Sequence, residues 1–116
     1  MKISKASIFN ILAKHLIKKM GVKDVALDIN NISTSISIMF TPHIPMLIKL
    51  GICDGEFFYI EELESKLNQI FTYSPVLNFP VGTGNIQITR ADINLFLEEL
   101  KRNSVVEEVI YLPCQN

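Results

Sequence analysis

The chain has 116 residues and a formal net charge of −1, and hydrophobic residues make up 48% of it against 20% charged residues. That length predicts one domain spanning 1–116, and that composition excludes an intrinsically disordered chain. No apolar run reaches the length of a membrane-spanning helix, and Cys53 and Cys114 do not make a disulfide framework, so we expect a reduced, cytoplasmic protein.

A basic N-terminal helix is the first predicted element. The first 23 residues carry six lysines and no acidic residue, which leaves a net charge of −7 for residues 24–116. Ser4 is positioned as an N-cap and Gly21 as a stop, so we predict an amphipathic helix over 4–20. Its apolar side chains cover a wide arc at about 100° per residue: Ile8, Phe9, Ile11, Leu12, Ala13, Leu16, Ile17 and Met20. An arc this wide indicates a helix that is either packed between two layers or shared with a partner.

Alternation of apolar and small polar residues characterises the next part of the chain. Over 32–40 the apolar residues alternate with serines, and Asn30-Asn31 suits a two-residue turn. The pattern therefore predicts a β-hairpin formed by 24–29 and 32–40, with its serine face toward solvent.

The segment that follows fits two structures. A short helix over 45–50 would end at Gly51, whereas a strand over 48–53 would pair with 56–60 through an Asp54-Gly55 turn. We favour the hairpin, because Asp-Gly between apolar runs is a strong turn signal.

The C-terminal half alternates helices with extended segments. We predict, in chain order, a helix over 61–71, a loop over 72–84, a strand over 85–88, a helix over 90–102 and a closing strand over 105–112. Thr89 and Asp92 have capping-box spacing at the start of the last helix. The elements together predict an α+β fold: a mainly antiparallel sheet with the helices 4–20, 61–71 and 90–102 on one face, ending in a strand–helix–strand unit.

The residue types that perform catalysis or bind metals are dispersed along the chain. His15, His43, Cys53 and Cys114 lack metal-ligand spacing, and no serine or cysteine is placed near His43. We therefore predict no metal, no cofactor, no small-molecule substrate and no catalytic residue, and disfavour an enzyme with a dispersed site around His43, Asp54 and Tyr73. An isoelectric point of 6.1 and only two arginines argue against nucleic-acid binding.

Excess apolar surface is the best indication of function. The wide arc of the first helix and the high hydrophobic fraction favour a non-enzymatic interaction module, acting as an adaptor, inhibitor or self-assembling unit, with a protein partner or as a homo-oligomer. The alternative is a membrane-surface or lipid-binding protein that uses the basic amphipathic helix. The predicted interaction surface combines this helix with the loop: Phe9, Lys14, Ile17, Lys18, Tyr73, Leu77 and Phe79.

Overall fold

Helices and two small antiparallel sheets, within the described residues, confirm the predicted α+β class. The computed structural model describes residues 1–21, 25–81 and 84–104. Its elements are β1 (Lys2–Ser4), α1 (Lys5–Met20), α2 (Val25–Phe40), a 3₁₀ turn (Thr41–His43), α3 (Ile44–Lys49), β2 (Phe57–Tyr59), α4 (Ile60–Tyr73), β3 (Val76–Val81), β4 (Gly84–Thr89) and α5 (Arg90–Arg102). The three helices predicted over 4–20, 61–71 and 90–102 are confirmed as α1, α4 and α5, and the strand predicted over 85–88 is confirmed as β4. The closing strand predicted over 105–112 lies outside the described residues.

Helix α1 contacts several other elements, and both of its predicted ends are confirmed. Ser4 Oγ accepts a hydrogen bond from the Ser7 backbone N–H at 3.2 Å, and Gly21 adopts the left-handed conformation with φ 72°. The helix contacts α2 on one side and α5 and β4 on another. Two arrangements were predicted for the wide apolar arc of α1, and the structure has the first of them, in which the helix is packed between two layers of the same chain. Its buried side chains are Ile8, Phe9, Ile11, Ala13, Leu16 and Ile17.

The hairpin predicted over 24–29 and 32–40 is wrong, because Val25–Phe40 forms helix α2. The apolar side chains that pack into the core are spaced by three or four residues: Ile29, Ile32, Ile36 and Phe40. A strand would place Ile38 beside Ile36, yet Ile36 is 1% exposed and Ile38 is 67% exposed. The Phe40 ring packs on Phe9 of α1 with centroids 6.1 Å apart. Burial of this stripe in the core therefore overrides the β preference of the alternating sequence.

A kinked helical path joins α2 to α3. Pro42 has no N–H for the Ile38 carbonyl, and Pro45 has none for the Thr41 carbonyl, so a regular helix is interrupted here. The chain tightens into the 3₁₀ turn, where the Ile44 N–H bonds to the Thr41 carbonyl instead. Helix α3 then ends before Gly51, which has a φ of 75°. The short helix, which we had disfavoured for 45–50, is thus the correct structure.

The Asp54-Gly55 turn is present, although its ladder is shorter than predicted. Gly55 has a φ of 100°, and Cys53 pairs with Phe58 in an isolated antiparallel bridge. All three residues of β2, Phe58 included, pair with β1, in a register that places Lys2 opposite Tyr59. The hairpin predicted between 48–53 and 56–60 is therefore confirmed only at the Cys53–Phe58 bridge.

The loop predicted over 72–84 is wrong over Val76–Val81, which forms β3 and pairs antiparallel with β4. Leu77 and Phe79 are half-buried against the core, and the residues beside them are exposed, as in a strand with one covered face. Pro80 suggested a loop, because proline has no backbone N–H to donate to a sheet. In a two-stranded sheet, however, each strand has one unpaired edge where no N–H donor is needed, so a proline is tolerated. The antiparallel pairing is thus divided between β1–β2 and β3–β4 instead of forming one sheet.

Candidate functional site

An exposed apolar surface with almost no charge is the main candidate for a binding site. Between residues 29 and 53 the only Asp, Glu, Lys or Arg is Lys49. Five large apolar side chains in this part of the chain are exposed, and we name them the uncharged surface: Ile38 (67% exposed), Met39 (40%), Met46 (61%), Ile48 (46%) and Leu50 (49%). Depletion of charge and enrichment in Met distinguish the buried centre of protein interfaces from other surface. The uncharged surface has both properties.

Three hydroxyl groups along α2 and the turn after it bond to the helix itself. Thr34 Oγ1 donates to the Asn30 carbonyl at 2.8 Å, Ser35 Oγ to the Asn31 carbonyl at 3.0 Å, and Thr41 Oγ1 to the Ser37 carbonyl at 2.6 Å. Each hydroxyl donor is therefore satisfied without water. Since burial of a polar group is costly only when it lacks a partner, these side chains can be desolvated at little cost.

Two grooves flank the outer face of α2. The more apolar groove has a volume of about 320 Å³ and lies between α2, β3 and the C-terminal half of α1. It is lined by Leu16, Met20, Asn31, Ile32, Ser35, Ile36, Met39, Phe79 and Pro80. The other groove, of about 330 Å³, lies between α2 and the start of α1 and includes Lys5 and Asn10. Ile38 lines the second groove and Met39 the first, so the last turn of α2 forms a ridge between them.

The structure separates the predicted interaction residues of α1 into two groups. Phe9 is 6% exposed and Ile17 is 0% exposed, so both are used inside the monomer and we leave them out of the candidate site. Lys14 and Lys18 are exposed on the opposite side of α1. The membrane-surface alternative also loses its main support, because the apolar face of α1 lies in the core and only Met20 of that face is exposed.

The predicted interaction residues of the 72–84 segment lie at two separate places. Tyr73 ends α4 and is 87% exposed. Leu77 and Phe79 lie half-buried in β3, and Phe79 lines the apolar groove with Met20. Ile38, Met46 and Ile48 were missed by the sequence reasoning. The signal that would have found them is the run from 29 to 53 with a single charged residue.

Charged side chains between α1 and α5 are paired, which indicates a structural role. Lys19 Nζ lies 2.8 Å from Asp92 Oδ2, an atom that also accepts from the Thr89 N–H at 2.9 Å, as the predicted capping box requires. Burial opposes ionisation of Asp92, but hydrogen bonds from Lys19 and Thr89 outweigh it and lower its pKa. His15 Nε2 lies 3.6 Å from Glu99 and packs edge-on against Phe96. Both contacts hold α1 against α5.

Of the three residues of the disfavoured enzyme site, Asp54 stabilises a turn. Asp54 Oδ1 accepts from the backbone N–H groups of Phe57 at 2.8 Å and Glu56 at 2.9 Å, and Oδ2 accepts from the Tyr59 hydroxyl at 3.0 Å. These bonds, that of Phe57 foremost, lower the pKa of Asp54 and stabilise the turn. His43 is exposed in the 3₁₀ turn. In the described ranges, no group of three or more His, Cys, Asp or Glu side chains is placed to hold a metal ion.

Comparisons of the chain with protein-family models, with curated proteins and with solved structures find no match. No helix in the part of the chain that the structure describes is long and apolar enough to cross a membrane. A functional proposal must therefore start from the uncharged surface and the groove beside it.

Proposed function

We propose that this protein is a non-enzymatic interaction module whose uncharged surface binds another protein. The observation that carries the proposal is the concentration of exposed apolar side chains in a stretch whose only charge is Lys49. Removal of apolar area from water stabilises a complex by about 25 cal/mol per Å². Charges add a desolvation penalty at an interface, and this stretch holds only one.

Helix α3 supports the proposal because it is apolar on more than one side. Ile44 and Leu47 pack against the core, whereas Met46 and Ile48 are exposed to water. A surface helix normally directs polar or charged residues outward, and a helix that is apolar all round is normally covered. Lys49 is the only charged residue of α3. A partner that covers Met46 and Ile48 would give α3 the environment its sequence suits.

The chemistry of the surface favours a protein over other classes of partner. Nucleic acids and anionic membranes are bound through clustered Lys and Arg, whereas the stretch from 29 to 53 carries only Lys49, and Lys5 lines the groove beside Ile38. Methionine side chains are flexible and polarizable, which suits them to the irregular apolar surfaces of proteins. We also propose a cytoplasmic location, which the free, buried thiol of Cys53 supports.

Direct binding measurements with charge-introducing variants test the proposal. The full chain is used to isolate a partner from cells that produce it naturally, and the partner is then purified and titrated by calorimetry. Met46→Lys and Ile48→Lys are each expected to weaken binding about tenfold or more, because a charge would be desolvated at the centre of the interface. Leu95→Lys is the matched control, because Leu95 is 57% exposed on α5.

The outcomes separate the uncharged surface from the rest of the molecule. All three positions are exposed, so each variant should keep the unfolding midpoint of the unmodified protein. Equal affinity of a purified partner for the α3 variants and the control would contradict the proposal. Loss of binding in the Leu95→Lys variant alone would place the contact on α5 instead.

A further inference from the structure

We infer that the groove between α2 and the start of α1 receives an acidic side chain of the protein partner, flanked in that partner by apolar residues. The inference rests on the proposed function and adds the chemistry that the partner must present beside Ile38. It follows from the hydrogen-bond donors, the charge and the apolar walls of this groove, which has a volume of about 330 Å³. We name it the Lys5 groove, after the only charged side chain among the described residues that line it.

Four polar side chains of the Lys5 groove have no intramolecular partner in the described part of the chain. They are the Lys5 ammonium, the Asn10 amide and the hydroxyls of Ser33 and Ser37. The two serines are one turn apart on α2, so both lie on the same side of the helix. Thr34 and Ser35 differ from them, because both donate to carbonyls of the preceding turn. The serine hydroxyls of the groove are therefore free to donate to a ligand.

All four unpaired groups can donate a hydrogen bond, which indicates a ligand rich in acceptors. A carboxylate only accepts, and its two oxygens have about four lone-pair sites. A neutral amide could satisfy the serines and Asn10 as well, so it is the charge of Lys5 that selects a carboxylate. No Asp or Glu is among the described residues that line the groove. The anion must therefore come from the partner.

The position of Lys5 at the start of α1 gives a second reason to expect an anion. The N-terminal end of a helix has a partial positive charge of about half an elementary charge, which favours acidic residues there and disfavours a lysine. Lys5 is the first residue of α1, and the first turn of α1 contains no acidic residue. A carboxylate bound beside Lys5 would supply the negative charge that this helix end lacks.

Apolar side chains on both walls of the groove favour an acidic residue that has apolar neighbours. Ala6 is exposed on the α1 wall, and Ile38, which is 67% exposed, lies on the α2 wall. Apolar residues beside the carboxylate of the partner would cover both. Nucleic acids and anionic membranes present many phosphates, which are bound by clustered Lys and Arg. One lysine between apolar walls suits a single carboxylate of a protein.

An NMR titration of the full, isotopically labelled chain with two blocked peptides tests the inference. The peptides are acetyl-leucyl-glutamyl-leucinamide and acetyl-leucyl-glutaminyl-leucinamide, which differ only in the negative charge. The glutamyl peptide is expected to shift the backbone amide signals of Ala6, Asn10 and Ser37. It should also bind about threefold or more tightly than the glutaminyl peptide, because only the former pairs with Lys5.

Two pairs of matched variants locate the site. Lys5→Gln should remove the preference for the glutamyl peptide, whereas Lys14→Gln should keep it, since Lys14 is an exposed cation of α1 that does not line the groove. Ser37→Ala should weaken binding of the glutamyl peptide about twofold or more by removing a donor to a charged group. Ser35→Ala should leave it unchanged, because the Ser35 hydroxyl is bonded within α2. Circular dichroism verifies that each variant is folded.

Each remaining outcome overturns a stated part of the inference. Equal affinity for the two peptides overturns it entirely, and so does an equal loss of preference in Lys5→Gln and Lys14→Gln, which would reflect the basic character of α1 as a whole. Inorganic phosphate that displaces the glutamyl peptide at equal concentration would assign the groove to a free anion instead of a protein segment. A purified partner whose affinity falls with Met46→Lys but not with Lys5→Gln would overturn this inference and still support the proposed function.

Discussion

Alanine substitutions at Ile36 and Ile38 distinguish helix α2 from the hairpin that its sequence suggests. The two residues are separated by two positions, so a strand would place both on one face and both would contribute to the same packing. In the structure Ile36 is 1% exposed and Ile38 is 67% exposed. We therefore expect the two substitutions to differ strongly in their effect on the free energy of unfolding.

The expected magnitudes follow from burial. Ile36→Ala removes a fully buried side chain and leaves a cavity, which costs about 3 kcal/mol within the usual range of about 2–5 kcal/mol. Ile38→Ala loses little buried area and gains helix propensity, so its effect should stay within about 0.5 kcal/mol. With a urea slope of about 1.5 kcal/mol/M, Ile36→Ala lowers the unfolding midpoint by about 2 M, while Ile38→Ala leaves it nearly unchanged.

Urea titration followed by far-UV circular dichroism measures both variants. Self-association would add stability that depends on concentration, so the titrations are made at dilutions where the midpoint no longer changes. Similar losses for both variants would refute the helical assignment of α2. A large loss for Ile38→Ala alone would do the same.

Three further predictions concern the N-terminal cap of α5, the C-terminal cap of α1 and the surface of α1. Asp92→Ala removes the acceptor of Thr89 and Lys19 and should cost about 1–2 kcal/mol in urea titration. Because the folded-state pKa of Asp92 lies below its ordinary value of 3.8, the stability that Asp92 contributes is present above about pH 4 and is lost as pH falls through the folded-state pKa. A cost of Asp92→Ala that is unchanged at low pH would refute this role of Asp92. Gly21→Ala should cost about 1 kcal/mol from backbone strain alone, since φ is 72° and the space for a Cβ is empty; no loss of stability would refute the assigned C-cap. The full chain should not co-sediment with anionic vesicles at low salt, because the apolar face of α1 is buried, and co-sedimentation would revive the membrane alternative.

Two of the helices that were predicted correctly, α1 and α5, have ends with a local chemical signature. Ser4 and Gly21 delimit α1, and the Thr89–Asp92 capping box opens α5. A cap is decided by hydrogen bonds within a few residues, so it can be inferred without knowledge of tertiary contacts. The same locality explains why the Asp54-Gly55 turn was found although most of its predicted ladder was not.

The candidate site was harder to predict, because an apolar face does not reveal what covers it. The wide arc of α1 indicated either packing between two layers or a partner, and in the structure α1 contacts α2 and α5, with Phe9 and Ile17 buried inside the monomer. Since 24–40 had been assigned to a hairpin, the prediction lacked helix α2, which packs against α1. One error in secondary structure therefore placed Phe9 and Ile17 of the predicted surface on a helix face that the monomer buries.

The serines and threonines of α2 connect the failed prediction with the proposed interface. Their alternation with isoleucine has the two-residue period of a strand. Free hydroxyls also compete with the backbone for hydrogen bonds, which lowers the helix propensity of serine and threonine. Both effects make the sequence of α2 look less helical. In the folded helix the hydroxyls of Thr34 and Ser35 bond to carbonyls of the preceding turn, which removes that competition. A helix that served only to cover α1 could have carried charged residues on its outer side, as α5 does with Glu98 and Arg102. The choice of small, self-satisfied polar residues around Ile38 is better suited to a face that is covered in a complex.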